Sequence, residues 1–181
     1  MNSVKTKSVF ILLTEQYDPM SRFVRFITWG KYTHASIGLD DHFNHFFSFV
    51  TKNGFYLERP IKSKKAKKMA RKCALYRLDV TEEIYEKIKN MIEGFQIRIE
   101  QYHYNYFGVL LCLLKIPCIL RIPHYRKNCY FCSQFVSELL TLSGAAKLRK
   151  KPSLYLPDDF IREPMLRILF QGSLGELAGT L

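Results

Sequence analysis

The chain has 181 residues, 48% of them hydrophobic and 14% aromatic. That is enough apolar matter for one core; it excludes a disordered chain and makes a single domain over residues 1–181 the expectation. The formal net charge of +12 favours anionic partners (nucleic acid, acidic polymer, anionic lipid or phosphorylated substrate) without choosing among them.

Residues 9–13, Val-Phe-Ile-Leu-Leu, are β-rich. Lys5 and Lys7 precede them, but the run is too short for a signal h-region and no small-residue cleavage site follows, so it reads as a first buried strand of a cytoplasmic protein. Residues 18–29 carry helical spacing, with Phe23, Phe26 and Ile27 on one side and Arg22 and Arg25 off it. Residues 34–39 and 45–50 read as a hairpin turning through residues 40–44. Asn53-Gly54 is a two-residue hairpin signal that leads into residues 55–58, stopped by Pro60. Residues 62–72 are a basic run without apolar periodicity, an exposed loop or a short solvated helix. Residues 74–80 read as another strand.

Thr81 followed by Glu82 and Glu83 supplies an N-cap and early acids for a long helix to about residue 102. Residues 105–114 form a second, apolar helix. It lies in the longest apolar stretch, residues 107–122, which Lys115 and Pro117 interrupt. The uninterrupted part spans about eight residues, against the roughly 20 that a transmembrane helix needs. A buried helix is expected there, a membrane-surface contact is the alternative, and the protein is at most peripheral to a membrane. Residues 132–142 form a third helix, ended by Ser143-Gly144. Residues 151–157 are a loop, Asp158-Asp159 caps a short turn, and residues 166–171 read as a last strand. The fold class is α+β, a small antiparallel sheet packed by helices.

Chemistry concentrates at Cys132 and His34. A thiol attacks well only as thiolate. Cys132 opens a helix, where unpaired backbone N–H groups and the positive end of the dipole favour the thiolate and can meet an oxyanion. Phe135, Val136, Leu139 and Leu140 repeat along that helix, so one side packs inward. His34 begins a strand in which His34, Ser36 and Gly38 alternate with Ala35, Ile37 and Leu39. The first set is small and polar, as for a strand face that lines a cleft, and this prefers His34 over the other four histidines.

Other groupings carry weaker signals. The five cysteines, Cys73, Cys112, Cys118, Cys129 and Cys132, are odd in number and irregularly spaced; this is no disulfide framework and points to a reducing compartment. Cys129 and Cys132 form a C-x-x-C, but no βαβ pattern precedes it. Cys118 and His124 are the only further zinc ligands near it, at irregular spacing. No metal and no cofactor is therefore expected. In the basic run, Lys62, Lys64, Lys65, Lys67, Lys68, Arg71 and Lys72 could bind an anionic surface, with a solvated loop as the plain alternative. No aromatic residue interleaves it, so no specific nucleic acid is predicted. Tyr102, Tyr104, Tyr106 and Phe107 read as packing or cleft wall.

The segments Lys31-Tyr32-Thr33-His34-Ala35-Ser36-Ile37-Gly38-Leu39 and Tyr130-Phe131-Cys132-Ser133-Gln134-Phe135-Val136 resemble the permuted papain-like cysteine hydrolases. These are the YiiX-like branch of the NlpC superfamily, distantly akin to lecithin:retinol acyltransferase. Residues 21–25 and 152–159 add flanking support. Ordinary papain-like enzymes run cysteine then histidine; here the histidine comes first, as in the permuted branch. The resemblance implies a circularly permuted papain-like fold, Cys132 as nucleophile, His34 as general base, and an acyl-enzyme formed from an amide, ester or thioester. It also implies a polar residue on the following strand that orients the imidazole. If the hairpin turns within residues 41–43, His45 stands opposite residues 38–40, more than about 13 Å from His34 at roughly 3.3 Å per residue. Ser48, opposite residues 35–37, is nearer and is the expected third member; Glu58 on the next strand, or a backbone carbonyl, is the alternative. The expected activity is that of an amidase or peptidase type of cysteine hydrolase acting on a peptide-like amide or a lipid ester. An acyltransferase or phospholipase at an anionic membrane surface, and a non-catalytic basic binding protein, are the other readings.

Overall fold

The structure is a computed structural model that describes residues 5–62, 66–115 and 128–180. Along the chain run β1 (Thr6–Thr14), α1 (Pro19–Thr28), β2 (His34–Gly38), β3 (Phe46–Val50), β4 (Gly54–Glu58), α2 (Ala66–Met69), β5 (Lys72–Thr81), α3 (Glu82–Ile97), a 3-10 turn (Ile99–Gln101), β6 (His103–Tyr104) and α4 (Tyr106–Leu113). There follow β7 (Cys129–Tyr130), α5 (Cys132–Leu142), two 3-10 turns (Pro152–Leu154 and Pro157–Arg162), β8 (Arg167–Ser173) and α6 (Leu174–Gly179). Six strands pair antiparallel in the order β4-β3-β2-β1-β5-β8, and β6 and β7 make a short parallel pair. The class is α+β, as the element pattern predicts.

The apolar run at β1 makes it a central strand, with β2 on one side and β5 on the other. Its side chains alternate between two cores. Val9, Ile11 and Leu13 meet Ala35, Ile37, Phe49 and, from α5, Phe135, Val136 and Leu139. Phe10 and Leu12 meet Phe46, Leu75 and, from α6, Leu174 and Leu177. A sheet packed on both faces explains why β1 reads as continuous hydrophobicity rather than alternation. The helix α6 has no counterpart in the sequence reading; its signal is the Ser173/Glu176 capping box.

Several expectations are corrected in detail. The helix at residues 18–29 forms, with Asp18 accepting from the Ser21 amide at 3.2 Å, but its apolar side is not its buried side. Ser21 and Val24 are buried, while Phe23, Phe26 and Ile27 are exposed. The long helix stops at Ile97 and passes into the 3-10 turn at Ile99–Gln101. The apolar helix of the 107–122 stretch is half right: Val109 and Cys112 are buried, Leu110 and Leu114 exposed, and residues 116–122 lie outside the described residues. No helix among the described residues is long and apolar enough to cross a membrane.

The Asn53-Gly54 hairpin has a different loop. Val50 pairs with Gly54, so residues 51–53 form the loop and Gly54 takes φ +65° beside it. A Cβ there would stand 2.1 Å from the Tyr102 carbonyl oxygen. Gly54 is therefore required twice, for its backbone conformation and for the close approach of the chain just before β6. Gly54→Ala is expected to lower unfolding free energy in urea by roughly 1–3 kcal/mol, and Asn53→Ala by under about 0.5 kcal/mol; equal effects would place the constraint elsewhere in the turn.

Candidate active site

Cys132 and His34, distant in sequence, share one cavity of about 260 Å³, with Gln16, Asp18, Thr33 and Tyr104 also in its wall. Each of the pair is 5% exposed. The cysteine arrives through β7, an extended step that pairs with β6 and ends at Phe131, where the chain turns into α5. No side chain caps α5. The amides of its first turn are thus left without the usual hydroxyl or carboxylate acceptor, at the point where the sulfur emerges. The Ser133 hydroxyl donates to the Tyr155 carbonyl at 2.7 Å and fastens the helix start to the segment behind it.

The histidine is held by the same segment. Asp158 accepts from the Lys31 amide at 2.6 Å and the Tyr32 amide at 2.8 Å, just ahead of β2. The Thr33 amide donates to the Thr14 carbonyl at 3.1 Å, and the Gln16 amide to the Thr33 hydroxyl at 2.8 Å. His34 therefore leaves a strand end whose backbone is tied on three sides.

Glu58 stands 2.5 Å from His34 Nε2. With Nε2 on the carboxylate, Nδ1 is the ring nitrogen left for the thiol of Cys132, which lines the same cavity. Burial pulls the imidazole pKa down. The charge of Glu58, the hydrogen bonds with Cys132 and Glu58, and the charge of a Cys132 thiolate pull it up and prevail, so it stands well above its usual 6.5. Beside them, burial in the cavity wall and then the Cys132 charge raise Tyr104 well above the usual phenol value, which keeps its hydroxyl protonated as a donor.

The expectation of Ser48 as third member is corrected. Ile37 pairs with Phe47 and Gly38 with Phe46, which continues to Ser48 opposite Ser36, two residues from His34. Its hydroxyl is fully buried and donates to the Ala35 carbonyl at 2.8 Å. The position beside the imidazole belongs to Glu58. The small face around His34 also lines no cleft: Ser36 donates to the Leu12 carbonyl, and Gly38 lies against the Phe46 ring. Only His34, at the strand end, reaches the cavity. His45 faces Asp40 instead, at 3.6 Å. Gln16 and Asp18 of the cavity wall stand in the loop between β1 and α1, where the one local signal is Asp18-Pro19, a capping acid ahead of a first-position proline.

The other groupings fall outside this cavity. Cys73, Cys112, Cys129 and Cys132 form no disulfide, and no metal-binding cluster occurs among the described residues; Cys118 and His124 lie outside the described residues. Burial pushes the Cys73 and Cys112 thiols up to about 12. Of the basic run, Lys64 and Lys65 lie outside the described residues and Lys62 is exposed. Lys68 and Arg71 line a second groove together with Tyr56, Glu58 and Arg59, and Lys72 opens β5. No family model matches the chain, and no curated protein matches it either.

His34 has a folded pKa above its unfolded one. Its contribution to stability is full below about pH 6.5 and is lost as pH rises through the raised folded value. In Glu58→Gln the loss of the carboxylate leaves burial less opposed, and the His34 pKa falls; an NMR titration of the imidazole reads the shift. The decline of urea stability above about pH 6.5 should flatten in the same variant. An unchanged His34 titration would exclude Glu58 as the group that holds the proton.

Proposed function

We propose that this protein is a cysteine hydrolase of the permuted papain-like type, acting on an amide or ester carbonyl through an acyl-enzyme. The observation that carries the reading is that Cys132, at the uncapped start of α5, shares one cavity with His34, whose Nε2 rests on the Glu58 carboxylate. Its order along the sequence, histidine strand before cysteine helix on an antiparallel sheet, supports the permuted arrangement.

In this reading the Cys132 proton passes to His34 Nδ1 before the attack, and the thiolate beside the imidazolium attacks the carbonyl carbon. The carbonyl oxygen becomes an oxyanion that the first-turn amides of α5 can meet, with the Tyr104 hydroxyl on the same cavity wall. The carbon–leaving-group bond breaks as His34 returns the proton to the departing amine or alkoxide, and a thioester remains on Cys132. Water then attacks the thioester carbon, His34 takes its proton, and the acid is released with the thiol restored. Glu58 keeps the imidazole oriented and balances its positive charge in a buried site. An acyltransferase uses the same thioester with a different nucleophile in place of water.

The test is mass-mapped labelling of the native protein with iodoacetamide across pH. Cys132 should label first, while Cys73 and Cys112, with thiols near 12, stay silent. His34→Ala should slow labelling of Cys132 by about a hundredfold and Glu58→Gln by about tenfold or more. Slow, even labelling of all the cysteines would overturn the enzyme reading in favour of a basic binding protein.

A further inference from the structure

Two helices that begin at the catalytic cavity turn large apolar side chains outward. In α1 these are Phe23, Phe26 (78% exposed) and Ile27, followed by Trp29 (90% exposed), which stands in the left-handed region at the helix end. In α4 they are Phe107, Leu110 and Leu114 (59% exposed). The two helices pack on each other through Val24, Met20 and Leu113, so their outer sides form one surface. A stretch of this kind on a soluble domain marks an interaction site.

Its chemistry selects the occupant. Arg22, Lys31 and Lys115 are exposed around the apolar residues, in a chain of net charge +12. Arg25 adds less, because it pairs with the buried Glu15. The acids beside α1 are engaged as well: Asp18 caps the helix through the Ser21 amide, and Asp158 has its carboxylate on the Lys31 and Tyr32 amides. Between α1, α4 and the Pro152–Leu154 turn runs a groove of about 590 Å³ lined by Ile27, Leu113, Leu154 and Leu156, with Lys115 in its wall; Lys150, also there, pairs with Asp159 and adds less. Aromatic and aliphatic side chains rimmed by cations, around an apolar groove, fit the boundary between acyl chains and anionic headgroups.

We infer that the α1–α4 face docks on an anionic lipid surface, with Phe23, Phe26 and Trp29 inserted at the headgroup–acyl boundary. The two docking helices start at the catalytic cavity: Asp18 and the buried Ser21 at the start of α1, and Tyr104 just before α4, stand in its wall. Docking itself does not require the catalytic reading; it adds to that reading where an acyl compound would come from.

Trp29 is the only tryptophan of the chain, so its emission reports on this face alone. The full chain is titrated with phosphatidylcholine vesicles with and without phosphatidylglycerol, followed by Trp29 emission and co-sedimentation. The expected result is a blue shift with the anionic vesicles, quenching by brominated acyl chains, and binding weakened about tenfold or more in Phe23→Asp/Phe26→Asp. Ile97→Asp, an equally exposed site on α3, should bind as the parent does. Far-UV circular dichroism and the melting midpoint check that the variants fold, and Cys132→Ser should bind unchanged whether or not the enzyme reading stands. Co-sedimentation without a Trp29 shift would move binding to the basic run and overturn the inference, as would equal binding to neutral vesicles. A blue-shifted Trp29 before any vesicle is added would also overturn it. In that case concentration dependence, with dimer mass by light scattering, would assign the face to a second copy; concentration independence would assign it to a segment of this chain.

Discussion

Asp158 accepts two consecutive backbone amides, and few single contacts in the molecule decide as much. Its oxygens take Lys31 N at 2.6 Å and Tyr32 N at 2.8 Å, charge-assisted bonds that fix the chain as it enters β2. Three residues earlier the Tyr155 carbonyl accepts the Ser133 hydroxyl and fixes the chain as it enters α5. A short stretch near the C-terminus thus holds the starts of both elements that bring His34 and Cys132 together. Without such a clasp a strand end and a helix end would each fray, since both lie at element termini where backbone groups lack regular partners.

Within that frame the cavity balances opposing terms. Burial disfavours a charged imidazole, and the Glu58 carboxylate and the Cys132 sulfur reverse the outcome. An isolated buried histidine would titrate low and serve as an ordinary core residue. Next to Glu58 the same side chain holds a proton it can return to a leaving group. The catalytic reading rests on this pairing more than on the cysteine, because a buried thiol alone is a small apolar residue, as Cys73 and Cys112 are in this molecule.

The α1–α4 surface shows what the fold leaves uncovered. Phe23, Phe26 and Ile27 have the spacing of a core-facing stripe, yet the sheet already buries its two faces under α3 and α5 on one side and α6 on the other. Helix α1 packs through Ser21 and Val24 instead. A helical stripe states that a face will be covered; it does not state whether the cover is the chain's own core or another phase.

Much of the fold was legible in residues. Periodicity marked α1 and α5, a continuous apolar run marked β1, and the Thr81 cap with its early acids marked α3; Ser143-Gly144 ends α5, with Gly144 at φ +81°. The sequence by itself also determined that Cys132 starts a helix and His34 starts a strand, because helix and strand signals are local. Tertiary structure alone decided which carboxylate meets the imidazole, which helix face is left to solvent, and that Ser36, Gly38 and Ser48 pack rather than line a cleft. Those outcomes depend on distances between strands that are not neighbours in sequence. Glu58 reaches His34 across β3 from the second strand over, a relation set by sheet twist and side-chain length rather than by any spacing along the chain.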